Sequence, residues 1–146
     1  MSARREIQHP TAAQIAAADP AVSAWVGANA GSGKTHVLTQ RVARLLLTKV
    51  NPQRILCLTY TKAAAAEMQN RLFKMLGGWA MAPDDLLGVE LAAIAGDSAP
   101  IVDGSLLADA RRLFARALET PGGLKIQTIH AFCDALLRRF PLEAGV

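Results

Sequence analysis

The stretch Ala28-Asn29-Ala30-Gly31-Ser32-Gly33-Lys34-Thr35 limits what this chain can fold into more than any other, because a small-residue loop separates an apolar run from an amphipathic one. Gly31 and Gly33 carry no Cβ, so the backbone there can take dihedrals that turn several N–H groups toward a single anion. Before the loop, Val22-Ser23-Ala24-Trp25-Val26 has the length and apolarity of a buried strand. After it, Leu38, Val42, Leu45 and Leu46 recur at helical spacing, with Thr39, Gln40 and Arg44 off that face. Strand, loop and helix in this order put the loop at a helix N-terminus, where unpaired N–H groups and the dipole favour anions. The expectation is a nucleoside triphosphate held by Ala28 to Thr35, with Lys34 on the outer phosphates and the Thr35 hydroxyl on a magnesium ion. The usual pattern opens on Gly, whereas this chain has Ala28 there and Gly27 one position earlier.

Further strands and helices alternate along the chain. Asn51-Pro52 ends the first helix, and Arg54 to Tyr60 reads as a second strand. Thr61 caps a helix expected to run to about Leu76 with Ala65, Met68, Leu72, Met75 and Leu76 on one face, stopped by Gly77-Gly78. Residues 79–104, punctuated by Pro83, Gly88, Gly96, Pro100 and Gly104, read as an insertion or loop region with one short helix over 84–95. A helix over 105–119 turns Leu106, Ala110, Leu113, Phe114 and Ala117 inward and Arg111, Arg112 and Arg116 outward. Leu124 to Thr128 alternates as a short strand, and a last helix carries Phe132, Cys133, Leu136, Leu137 and Phe140 on its apolar face, halted by Pro141. The fold class this predicts is α/β, with a parallel sheet flanked on both faces by helices.

The composition is that of one globular domain: 146 residues, 51% hydrophobic and 19% charged. A formal charge of +4 suits an anionic partner, nucleotide or nucleic acid alike. Cys57 and Cys133 lie in apolar surroundings without ligand spacing and read as reduced core residues of a cytoplasmic protein. No apolar run has signal or membrane-spanning length.

Three segments specify the kind of nucleotide protein. Gln14 lies 34 − 14 = 20 residues before the lysine, and its amide offers a donor and an acceptor to an adenine edge. Tyr60, Thr61 and Lys62 end the second strand, where open α/β sheets bind ligands, and Thr128 and His130 end the third. Taken singly, these are also what a solvated glutamine, a capping threonine and a core or cap histidine look like. In their order along the chain, Ala28 to Thr35, Leu58 to Met68 and Thr128 to Cys133 resemble the opening motifs of superfamily 1 UvrD-like helicases. Within these they resemble the AddA and RecB branch of double-strand-break repair helicase-nucleases. The closing run Leu136 to Val146 looks like AddA of the alphaproteobacterial type.

That resemblance implies a RecA-like P-loop NTPase fold, with residues 1–146 as the N-terminal part of an ATP-binding domain, an incomplete motor domain 1A. It implies ATP and Mg2+ as cofactors. Gln14 would contact adenine; Ala28, Asn29, Ala30, Gly31, Ser32, Gly33, Lys34 and Thr35 would hold the phosphates; Lys34 and Thr35 would be the catalytic groups, and Thr35 the metal ligand. DNA contacts would fall on Tyr60, Thr61, Lys62, Thr128 and His130, and the partners would be an AddB-like protein and single- or double-stranded DNA ends. Lys62 stands where many relatives carry asparagine.

Hydrolysis also needs an acidic pair at a strand end and arginines for the transition state. Asp84-Asp85, Asp103 and Glu143 do not follow strands, so the acidic pair is expected outside this sequence. The chain is therefore expected to be a piece of a larger protein that binds ATP weakly and does not unwind DNA by itself, with uncovered apolar helix faces and a tendency to aggregate. Two other readings stay open on residues alone: a small nucleotide kinase, and a non-catalytic module binding nucleic acid through Arg111, Arg112, Arg116, Arg138 and Arg139.

Overall fold

A pair of parallel strands carries one part of the candidate site, and the helices beside it supply most of the core. The computed structural model describes residues 10–29, 31–95 and 102–145. In chain order these form α1 (Ala12–Ala17), α2 (Lys34–Leu47), a 3-10 turn (Pro52–Arg54), β1 (Leu56–Thr59), α3 (Lys62–Met81), α4 (Asp84–Ala95), α5 (Gly104–Leu118), β2 (Lys125–Thr128), α6 (Ile129–Arg139) and α7 (Pro141–Ala144). β1 and β2 pair in parallel, Cys57 opposite Ile126 and Thr59 opposite Thr128, which brings their C-terminal ends side by side. A parallel pair needs a long crossover, supplied here by α3, α4 and α5. The α/β class is as expected, with two strands among the described residues.

The expected strand over 22–26 does not form. This segment has no regular structure and no strand partner, and its apolar side chains face outward, Trp25 being 98% exposed. Apolarity alone cannot make a strand; the backbone needs a ladder partner, and β1 and β2 pair only with each other. The Val22 carbonyl is instead bonded by the Arg41 guanidinium at 2.6 Å.

The core joins Val42, Ala43 and Leu46 of α2, Leu72, Leu76 and Trp79 of α3, Leu87 and Leu91 of α4, and Leu113 and Ala117 of α5. Gly77-Gly78 does not stop α3, which runs on to Met81 and ends before Pro83. Continuation is favoured by packing. The space a Gly77 Cβ would take lies 3.5 Å from the Phe114 ring, and Trp79 is buried with its Nε1 donating to Glu90 Oε2 at 3.1 Å. Phe114 also meets Phe73 edge to face at 6.2 Å between centroids. The helix expected over 84–95 forms as α4 and puts Leu87, Leu91 and Ile94 into the core.

Other side chains depart from the one-sided helix patterns. On α2, Thr39, Gln40 and Arg44 are buried and Leu38 is exposed: Thr39 and Gln40 stand beside residues of α3 and α4, and Arg44 reaches the Ile15 carbonyl of the N-terminal segment. Arg111 turns inward, donating to Ala82 O at 2.8 Å and to Asp84 Oδ1. Cys57 is buried as expected, but Cys133 is exposed, since α6 buries no residue and leaves Leu136, Leu137 and Phe140 about half exposed. The sheet is likewise not covered on both faces: Cys57 packs into the core while Leu56 and Leu58 stay exposed. Pro141 does halt α6, and a short turn of helix, α7, follows it.

Candidate functional site

Two clusters hold nearly all the residues singled out by the sequence. The first is built around the loop that enters α2. Gly31 and Gly33 adopt φ of 81° and 85°, a left-handed conformation that an L side chain strains to reach. Gly33 is the N-cap of α2 and offers no side-chain cap, so the first N–H groups of the helix have no cap partner. Lys34 Nζ donates to the carbonyls of Ala28 at 2.7 Å and Asn29 at 2.5 Å, and the Ser32 hydroxyl donates to Asn29 O at 2.7 Å. The ammonium thus closes the loop on itself, where an anion would compete for it. Ala30 lies outside the described residues.

Gln14 joins this cluster from α1. Thr11 and Gln14 form a reciprocal capping box, with Thr11 N donating to Gln14 Oε1 at 2.9 Å and Gln14 N to Thr11 Oγ1 at 3.3 Å. The free end of the same amide, Nε2, sits 3.3 Å from where a Cβ on Gly33 would lie, so a larger residue there would push the amide back by a few tenths of an ångström. Thr35 is half buried, and its carbonyl accepts the Thr39 hydroxyl at 2.7 Å.

The second cluster lies at the C-terminal ends of β1 and β2. Thr59 is opposite Thr128, so Tyr60, Thr61 and Lys62 emerge beside Thr128 and His130. Both threonine hydroxyls serve as helix caps: Ala64 N donates to Thr61 and Ala131 N to Thr128, each at 3.1 Å. The capping expected of Thr61 therefore holds whatever else it contacts, and Thr128 caps α6 in the same way, a role not expected of it from the sequence. Tyr60, 81% exposed, Lys62 and His130 are left free to face solvent.

Two cavities flank these clusters. The larger, about 1050 Å³, opens between α2, α3 and α4 and includes His36, Gln40, Asn70 and Lys74, but none of residues 28–35. The smaller, about 450 Å³, lies between residues 23–26 and α2 and includes Lys34 and Arg41. The smaller is the one tied to the loop chemistry, because it contains the lysine. Among the described residues no group of three His, Cys, Asp or Glu side chains gathers to hold a metal. The acidic residues with assignable contacts serve the fold: Asp84 pairs with Arg111, and Asp103 caps α5 by accepting from Leu106 N at 2.9 Å.

Sequence reasoning missed two features of the site. The Thr11-x-x-Gln14 spacing is itself a capping-box signal that marks α1. Arg41 and Arg44, whose guanidinium groups hold the segment that carries Gln14, left no local signal, because their partners are backbone carbonyls distant in sequence.

Comparison with known proteins adds to this geometry. Residues 10–145 match the family described as the UvrD/REP helicase N-terminal domain. The chain is 40% identical over 115 residues to an ATP-dependent helicase/nuclease of Levilactobacillus brevis, covering 79% of this chain and 7% of that protein. It is 37% identical over 133 residues to the ATP-dependent helicase/nuclease of the same name from Desulfitobacterium hafniense, covering 89% and 8%. A shorter stretch of 51 residues is 53% identical to the ATP-dependent DNA helicase PcrA of Staphylococcus aureus, 34% of this chain and 7% of the relative. The chain thus spans less than a tenth of the length of these relatives. No solved structure matches it.

Proposed function

The chain belongs to the UvrD/REP helicase N-terminal domain family, and we propose that it is the ATP-binding part of an ATP-dependent DNA helicase, of the helicase-nuclease kind that acts at double-strand breaks. The observation that carries this reading is the first cluster: two left-handed glycines, an uncapped helix N-terminus, a lysine at its first position and Gln14 against Gly33. These residues suit a nucleotide. Gly31 and Gly33 turn N–H groups of a P-loop toward the phosphates, and Lys34 exchanges its carbonyl partners for phosphate oxygens. Gln14 reads the adenine edge, and Thr35 offers its hydroxyl to Mg2+, which when bound neutralises charge on the phosphates. Tyr60 supplies a stacking surface for a base of single-stranded DNA, with Lys62 and His130 beside it on the backbone. The wider reading includes a RecA-like motor domain of which residues 1–146 are part, DNA ends as substrate, a cytoplasmic setting and an AddB-like protein as partner; the helicase/nuclease names of the relatives support it.

The exposed-arginine module is the weaker reading, because Arg111 is tied to Ala82 and Asp84, and Arg138 is paired with Asp134 on its own helix. The test is binding of a fluorescent ATP analogue with Mg2+ to the wild-type chain and to Lys34→Ala, with and without a single-stranded oligonucleotide. Saturable binding, weakened by Lys34→Ala and altered by the oligonucleotide, is the expected result. Oligonucleotide binding with a steep salt dependence and no response to nucleotide would favour the charge-only module instead.

A further inference from the structure

Helix α1 is too small to fix its own position. It has six residues, none of them buried, and no basic residue in its last turn to balance its dipole. The C-cap N–H uses the carbonyls of Gln14 and Ala16. The other two carbonyls of the last turn are taken by guanidinium groups of α2: Arg44 Nη1 donates to Ile15 O at 3.1 Å, and Arg41 Nη1 to Ala17 O at 3.1 Å. The Arg41 fork also donates to Asp19 O at 2.5 Å and, through Nη2, to Val22 O at 2.6 Å. Arg44 is buried and stands 3.8 Å from the Asp19 carboxylate. Two cations thus sit at the negative end of α1, and charge-assisted bonds supply what apolar packing does not.

We propose that Arg41 and Arg44 are positioning residues for nucleobase recognition: by holding α1 and the turn after it against α2, they keep the Gln14 amide over Gly33. This rests on the reading of Gln14 as the base contact. Both arginines act on the backbone, so their effect on a ligand passes through Gln14, whereas the loop and Lys34 grip phosphate without them. Arg41 also lines the cavity that contains Lys34, so the clamp and the loop share one wall.

The experiment measures the affinity of the full chain for ATP and for inorganic tripolyphosphate, both with Mg2+, in the wild type, Gln14→Ala, Arg41→Gln and Arg41→Lys. Arg41 is only half buried, so its variants keep the core, and a thermal melt verifies that they fold. The wild type should prefer ATP over tripolyphosphate, and Gln14→Ala should remove that preference. Arg41→Gln should lower it by roughly tenfold, about the effect of losing one charge-assisted hydrogen bond, while leaving tripolyphosphate affinity unchanged. Arg41→Lys, with a single donor centre, should fall between. If Arg41→Gln weakens both ligands equally, or neither, the positioning role is overturned while the Gln14 reading stands. If Gln14→Ala keeps the preference, the Gln14 reading fails and the inference fails with it. Should Arg41→Gln not fold, Arg41→Lys decides alone: an unchanged ATP preference overturns the role.

Discussion

Substituting alanine at Gly33 and at Gly31 separates two costs that the loop geometry combines. Both residues have positive φ, 81° at Gly31 and 85° at Gly33, a region that costs an L-residue roughly 1–2 kcal/mol. A Cβ on Gly31 would meet nothing within 4 Å, so Gly31→Ala bears backbone strain alone. A Cβ on Gly33 would lie 3.3 Å from Gln14 Nε2, closer than nearly all such contacts in folded proteins. That amide cannot swing aside freely, because its Oε1 accepts from Thr11 N at 2.9 Å. Giving way by a few tenths of an ångström strains half of the capping box, a further cost of up to about 1 kcal/mol. If the strain is relieved by the loop leaving its phosphate-binding shape, Mg–ATP affinity should fall about 5- to 30-fold in Gly31→Ala and roughly another fivefold in Gly33→Ala. Titration calorimetry reads both. In a Gln14→Ala background the crowding is gone, and Gly33→Ala should cost no more than Gly31→Ala does. Equal losses in the two single variants, or an extra Gly33→Ala cost that survives Gln14→Ala, would refute the reasoning.

Four further outcomes follow from the packing and the ionisable groups. Gly77→Ala should stabilise the chain by about 0.5–1 kcal/mol in a urea titration, because alanine favours the helix interior and its Cβ would sit at an ordinary 3.5 Å from the Phe114 ring; a loss would mean that α3 is interrupted there. A thiol reagent at neutral pH should label Cys133 in the folded chain and Cys57 only on unfolding. Burial pushes the Cys57 thiol up, so above the ordinary thiol range the unfolded chain loses a proton that the folded chain keeps, and stability should decline as pH rises toward the folded value. The carboxyl of Asp103 is held below its ordinary value, first by the bond from Leu106 N and then by the Ser105 hydroxyl. Its contribution is present above the ordinary carboxylate range and is lost as pH falls through the lowered value, so the stability deficit of Asp103→Ala should vanish in acid.

Which parts of this fold were legible follows from the range over which each feature is decided. Thr61 caps α3 through its own hydroxyl three residues ahead, so the signal and its effect lie in one segment and the sequence reading holds. Gly31 and Gly33 are legible for the same reason, since the freedom the loop needs belongs to the residue itself. Gly77-Gly78 misled because glycine ends a helix only where nothing packs the next turn in place, and what packs it here is Phe114, 37 residues away by 114 − 77. Residues 22–26 misled because a strand is a property of two segments, and no local pattern reveals whether the second is at hand. The burial of Thr39, Gln40 and Arg44 is of this long-range kind too. Helical periodicity marks which face is apolar, yet α3 and α4 lie beside Thr39 and Gln40, and α1 and the turn after it are bonded by Arg41 and Arg44 through backbone carbonyls, groups that every sequence has and no sequence pattern distinguishes. The loop half of the candidate site is therefore readable from residue type, whereas the contacts that tie α1 to α2 emerge only where the two helices meet in space.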